Sequence, residues 1–352
     1  MWLESLGDWS WPGRGGAAAE ALPLPPAWVP AFPPRLEPAA VGPWRQGSSA
    51  RRRLLLGFLL SALAAVSTAL ALKGPLGLQS ILGRPALTPT AASGAEAARL
   101  RTEPPLPTLA SVSHDAAGSS IDHASYSSKS LHAQGSFTVY LPPGYASTTR
   151  RYPVLYLLHG NSQPAEAFLQ FGLQRSLDRL IAHRAVPPMI AVMIQGGPGA
   201  NNWRDMGWRN YKTYVLEVQE LVDRMLPTVA ARSGRAIAGA SMGGYGAMNV
   251  ALGNPYRFAV VESWLGFFNN LDGELHAARG VISRLGLRAF LYGAEADKIA
   301  DPAENPTFAA SLRAAGASAE SAVYPGDHSL QTLQAHLDGM LLFAGRSLFA
   351  AG

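Results

Sequence analysis

From about Ser111 onward, short apolar runs alternate with stretches of helical period, and this alternation limits the fold more than any other feature. The apolar runs fall at residues 125–131, 137–141, 154–158, 189–195, 236–239, 260–264, 289–292 and 319–324. Most are apolar or β-branched without a polar residue at every second place, as in strands covered on both faces. Between them, residues 165–183, 211–226, 242–252, 307–315 and 330–343 read as helices. In the second of these, Tyr214, Val215, Val218, Leu221, Val222 and Met225 form one apolar stripe at the 3.6-residue period. Strand and helix in regular succession predict an α/β protein with a mostly parallel, eight-stranded sheet and helices on both faces. No internal repeat is visible. Residues 116–352 are enough for one domain with a single large core.

The first hundred residues have a different character. Residues 1–50 carry Trp2, Trp9, Trp11, Trp28 and Trp44 among many Pro, Gly and Ala, with neither a two-residue nor a 3.6-residue apolar period. They are expected to be disordered, or to lie upstream of the true translation start. Arg51, Arg52 and Arg53 then precede an uncharged apolar run over residues 54–72, which ends with Ala69-Leu70-Ala71. A basic head, an apolar stretch and an A-x-A site make an export signal, here with a twin-arginine look. The competing expectation is an uncleaved membrane anchor through residues 54–72, just long enough to span a bilayer. Both place the rest of the chain outside the cytoplasm: periplasmic, secreted or held on the outer membrane face. Residues 73–115 read as a Pro/Ala-rich linker.

Composition excludes several kinds of chemistry. There is no cysteine, so disulfides, thiolate catalysis and Cys-ligated metals are ruled out. The net charge of +5 is mild for 352 residues, and no Lys/Arg cluster is interleaved with aromatics. Nucleic acid is therefore not an expected partner.

The chemistry is announced at Gly239-Ala240-Ser241-Met242-Gly243-Gly244, between a short apolar strand and a helix of small residues. A G-x-S-x-G turn in that setting exposes a serine hydroxyl at the carboxyl edge of a sheet. Glycines two before and two after leave room where the turn crowds its neighbours. The helix start then offers free N–H groups to a developing oxyanion. Ser241 is thus the expected nucleophile. A serine needs a base, and His328, in Pro325-Gly326-Asp327-His328 after the last strand, fits that place. The third member should follow the penultimate strand, where the chain reads Leu291-Tyr292-Gly293-Ala294-Glu295-Ala296-Asp297. Asp297 is preferred; Glu295 also qualifies by position, and Asp301 is a weaker third. Met242 N–H and, from the loop after the 154–158 strand, Asn161 N–H are the expected oxyanion donors. His159 in that loop is expected to hold the backbone rather than to move protons. Trp203, Trp208, Trp264, Phe267 and Phe268 follow strands and either line a substrate pocket or pack in the core. No cofactor and no metal is called for.

Four segments, RYPVLYLLHG, GASMGGYGAM, the Gly-acidic loop after LYG and YPGDH, occur in that order. They are flanked by FTVYLPPGY and by NNWRD…YKTYVLEVQELVD. Together these segments resemble the esterase D family of α/β-hydrolases, which includes S-formylglutathione hydrolases, feruloyl esterases, enterochelin esterases and mycobacterial mycolyltransferases. The likeness runs over about residues 120–345. It implies an α/β-hydrolase fold, a Ser241–Asp297–His328 triad, and Met242 and Asn161 as oxyanion donors. The expected activity is ester hydrolysis through an acyl-enzyme, on a small-molecule, lipid or sugar ester. The alternatives are acyl transfer to a sugar or lipid hydroxyl, and a non-catalytic binding module on the same scaffold. Residues 262–287 match no named pattern, and they bear on substrate choice.

Overall fold

The computed structural model describes residues 106–349. The expectations for residues 1–50, for the signal or anchor at 51–72 and for most of the linker lie outside the described residues. Nine strands form one sheet: β1 (Ala110–His114), β2 (Ser120–Ser128), β3 (Ala133–Leu141), β4 (Val154–Leu158), β5 (Ile190–Ile194), β6 (Arg235–Ala240), β7 (Val260–Trp264), β8 (Arg288–Ala294) and β9 (Ser318–Tyr324). Their spatial order is β1-β2-β3-β5-β4-β6-β7-β8-β9. β1, β2, β3 and β5 pair antiparallel in turn, and every pair from β5 through β4 to β9 is parallel. The sheet is the expected mostly parallel one, with nine strands in place of eight. The extra strand is β1, ASVSH, whose five residues are all exposed at the sheet edge. An edge strand needs no apolar run, so it left no such mark in the sequence.

Among the described residues, seven α-helices accompany the sheet: α1 (Ala167–Gln170), α2 (Leu173–Ala182), α3 (Tyr211–Met225), α4 (Met242–Gly253), α5 (Asp272–Leu285), α6 (Glu304–Ala314) and α7 (Leu330–Phe349). The helix expected over 165–183 is broken by Gly172, which sits at φ 96° and separates α1 from α2. The residues of β4 to β7 are buried without exception. Alternate side chains serve opposite faces: Val154, Tyr156 and Leu158 enter one core, Leu155 and Leu157 the other. The first core is closed by α3, α4, α5 and α6. The second is closed by α1, α2 and α7, the last through Leu333, Leu337, Met340, Leu341, Ala344 and Leu348. Among the described residues no helix is long and apolar enough to cross a membrane.

This topology fixes where a site belongs. β4 has β5 on one side and β6 on the other, so the direction of winding reverses there. In an open parallel sheet, such a reversal leaves a crevice at the carboxyl ends of the strands.

Candidate active site

Ser241 follows β6 and caps the start of α4, with φ 55° and ψ −117°. That conformation is costly for any residue with a Cβ. It is held by a hydrogen bond from Ser241 N–H to Trp264 O at the end of β7 (2.8 Å). The flanking glycines have a steric reason. A Cβ on Gly239 would stand 2.3 Å from Gly243 O, and one on Gly243 would stand 1.8 Å from Leu158 O. The backbones of β4, β6 and α4 therefore meet at distances that only glycine allows, and that contact lifts the Ser241 hydroxyl to the sheet edge.

His328 arrives from the loop after β9. Its Nε2 lies 2.8 Å from Ser241 Oγ and its Nδ1 lies 2.7 Å from Asp297 Oδ2. A carboxylate only accepts, so Nδ1 carries the proton and Nε2 is free to accept from the serine hydroxyl. The side chain of Asp297 is 1% exposed and that of His328 16%. The other oxygen of Asp297 accepts the N–H groups of Ile299 (2.8 Å) and Ala300 (2.9 Å), so the carboxylate cannot swing away. Glu295 and Asp301 are both exposed, and neither contacts the histidine. Of the three acidic residues of this loop, the structure brings Asp297 to His328.

Of the two expected oxyanion donors, Asn161 lines the cleft at Ser241, and Met242 is the residue next to Ser241 in the chain. Met242 opens α4, and a first-turn N–H has no acceptor within its own helix. Asn161 lies in the loop after β4. Among the described residues neither amide donates to a protein acceptor. The loop bearing Asn161 is braced from behind. His159 Nδ1–H donates to Gly160 O (2.7 Å), and its Nε2 accepts the Gly196 N–H (2.8 Å), a pairing that only the neutral ring can make. Burial pushes its pKa below the usual histidine value, in keeping with that state. Trp203 stacks edge-on against this ring at 5.2 Å and donates its indole N–H to His159 O (3.2 Å). Gln163 adds a further tie, accepting Gly160 N–H at 3.3 Å. Ser162 and Leu265, after β4 and β7, share the positive φ of Ser241, at 58° and 53°. Strained backbone thus gathers along one edge of the sheet, as it does around functional sites.

Ser241 and His328 open into a cleft of about 510 Å³. None of the five aromatic residues considered from sequence lines it. Trp203 and Trp264 are wholly buried, Phe268 stacks on Phe308 at 4.8 Å, Phe267 stacks on Tyr245 at 5.0 Å, and Trp208 is exposed elsewhere. The role of the first four is packing. The walls come instead from Leu265, in the 262–287 segment expected to bear on substrate choice, and from residues that sequence reasoning passed over, among them Gln163, Ile299, Ser329, Leu330 and Leu333. Only Ser329 carried a signal: its Oγ accepts the Thr332 N–H (3.3 Å) as a helix cap, and a serine just before an apolar helical run marks such a cap. A second depression, of about 360 Å³, lies at the opposite ends of the strands, and no histidine or carboxylate lines it. Among the described residues no group of three or more His, Asp or Glu is placed to hold a metal ion.

Comparison with known proteins bears on this fold and its ancestry. Residues 128–344 match the model of the family described as Putative esterase. Esterase Rv1288 of Mycobacterium tuberculosis (strain ATCC 25618 / H37Rv) is 34% identical over 135 residues, 36% of this chain and 28% of that protein. An endo-1,4-beta-xylanase/feruloyl esterase of Xylanibacter ruminicola is 29% identical over 234 residues, 62% of this chain and 30% of that protein. The chain thus spans less than a third of the length of these curated relatives. Among solved structures, a ferulic acid esterase superposes with a TM-score of 0.59 at 24% identity, over 65% of this chain and 99% of that one. That match shows a shared α/β-hydrolase fold, and the family model covers most of the domain that adopts it. On these grounds the chain belongs to the Putative esterase family.

Proposed function

We propose that the protein is a serine esterase that cleaves a carboxylic ester through an acyl-enzyme on Ser241. The observation that carries this reading is the unbroken relay from Ser241 Oγ through His328 to Asp297, at 2.8 and 2.7 Å. In the proposed reaction His328 Nε2 takes the hydroxyl proton as Oγ attacks the ester carbonyl. Asp297 keeps the proton of the other ring nitrogen in place and stabilises the imidazolium that forms. The Met242 and Asn161 amides receive the carbonyl oxygen as it becomes anionic. The tetrahedral adduct collapses, and the alcohol leaves with the proton held by His328. Water, activated by the same histidine, then frees the acid.

Work outside the cytoplasm belongs to the proposal. Its support is the Arg51–Arg53 head and the uncharged run to Leu72 in the sequence. Fractionation of cells expressing the full chain tests it, and activity retained in the cytosol would refute it.

The catalytic reading is tested with p-nitrophenyl acetate and the full-length chain. Ser241→Ala should lower kcat/KM by about 10⁴-fold or more, and should abolish labelling by a fluorophosphonate. Asp297→Asn should cost about 10³–10⁴-fold: an amide in that position favours the ring tautomer with its proton on Nε2, where the serine hydroxyl must donate. Glu295→Gln should stay within about twofold, as expected for an exposed residue without a partner in the relay. Equal losses from the last two changes would overturn the assignment of the acid.

A further inference from the structure

The cleft at Ser241 has both polar and apolar walls. The polar side chains are those of Asn161 and Gln163. The apolar ones are Ile299 and Leu330, with Leu265 and Leu333 also lining the cleft. Ile299 is 73% exposed and Leu330 43% exposed, whereas Leu265 and Leu333 are buried. Both exposed side chains belong to the histidine side. Ile299 comes two residues after Asp297 and its N–H is held by that carboxylate (2.8 Å). Leu330 comes two residues after His328 and opens α7. No Lys, Arg, Asp or Glu side chain lines the cleft.

The chemistry gives the walls that follow the histidine and its acid a particular meaning. When the tetrahedral adduct collapses, the bond between the carbonyl carbon and the alkoxy oxygen breaks. The electron pair leaves with that oxygen, which takes the proton from His328 Nε2. The alkoxy oxygen must therefore stand beside His328, in the cleft that Ile299 and Leu330 line two residues after Asp297 and His328. The carbonyl oxygen points the other way, to the amides of Met242 and Asn161. Two aliphatic side chains kept in water beside the leaving group lose that exposure when an apolar group covers them.

We infer that Ile299 and Leu330 receive the alcohol portion of the ester, and that this portion is an uncharged aliphatic chain. The inference rests on the serine esterase reading and adds which half of the substrate is selected. An anionic leaving group meets no cation there, and its charge would be set against hydrocarbon.

The test is a series of acetate esters whose alcohols run from methanol to octanol, hydrolysed by the full-length protein. The acyl group is constant, so only the leaving group varies. Burying each methylene should raise kcat/KM about twofold to fourfold until the chain outruns Leu330. Butyl acetate should be cleaved faster than the 4-acetoxybutanoate anion. Ile299→Ser and Leu330→Ser are each scored by the ratio of hexyl to methyl acetate, which is insensitive to the amount of folded enzyme. In both, the ratio should fall by about threefold or more relative to the parent. A flat alcohol series alongside normal turnover of p-nitrophenyl acetate overturns this inference and leaves the esterase reading intact. Persistence of the parent ratio in both variants overturns it equally. If no ester is turned over and Ser241 resists the fluorophosphonate, the esterase reading fails, and the inference fails with it.

Discussion

On β7, Glu262 is fully buried with one hydrogen bond, from the Trp264 indole N–H at 2.9 Å, and its second oxygen has no partner. Burial pushes its pKa up to about 8 from the usual 4.5, and the indole bond offsets this only in part. The folded protein therefore keeps this carboxyl protonated where the unfolded chain has already lost its proton. Between pH 4.5 and 8 the folded state binds more protons at this site, so stability contributed here falls as pH rises. Each pH unit in that window is worth about 1 kcal/mol, or roughly 2–4 °C in Tm for a domain of this size. Glu262→Gln removes the titration while keeping the shape. Thermal melts at pH 5 and pH 8 should show the variant gaining on the parent as pH rises; a difference that does not change with pH would refute the assignment. His159 behaves in the opposite sense. Its lowered pKa favours the neutral ring, so the stability it contributes is present above pH 6.5 and is lost as pH falls below that value. Comparing the variant with its parent at each pH cancels that contribution. Nothing in the run VVESW announces the arrangement, because a glutamate between apolar residues reads as a strand with one polar face.

At the scale of elements, legibility in the sequence follows burial. The runs of β4 and β7 stand in the sequence with the bounds they have in the structure, because both of their faces are covered. The apolar run at 125–131 catches only the end of β2: SIDHASYSS begins at Ser120, and of its nine residues only Ile121, Ala124 and Ser128 are buried. α5 leaves no helical stripe in the sequence, since only Leu275, Ala278 and Ile282 are buried and two glycines interrupt it. α4 shows the reverse case. Its string of small residues is weak as a helix signal, yet it makes an approach that only glycine allows. The Gly243 contact with Leu158 O leaves no room for a methyl group, and both partners are backbone. Gly243→Ala should therefore destabilise the domain by more than about 3 kcal/mol or prevent soluble expression. At the far end of the same helix, Gly253→Ala meets only the flexible Lys212 side chain at 3.4 Å and should be neutral or slightly stabilising. Urea denaturation of the two variants distinguishes steric exclusion from a general intolerance of the helix to alanine. A similar loss in both would discredit the steric account.

For the molecule as a whole, the proposed reacting residues can be read from order along the chain, and the cleft that surrounds them cannot. Ser241, Asp297 and His328 follow β6, β8 and β9, and each has a motif or a position that marks it. Leu265, Ile299, Leu330 and Leu333 come from three separate connections and helices, and in sequence they look like any other aliphatic residues. Only the sheet order brings them together. The conformation of Ser241 has a further consequence for the protein as an inherited object. Its backbone, at φ 55° and ψ −117°, is one that glycine occupies at little cost and serine does not. Glycine usually loosens a protein by enlarging the freedom of the unfolded chain. Here Ser241→Gly should melt at or above Ser241→Ala, by up to about 5 °C, because relief of strain outweighs that freedom. Calorimetry of the two variants measures the balance, and a lower melting point for glycine would mean that the turn is not strained. If the strain is real, folding and catalysis favour different residues at this one position. A descendant of this gene released from its catalytic task would gain stability by exchanging its serine for glycine, and position 241 would be an early place to look for that change.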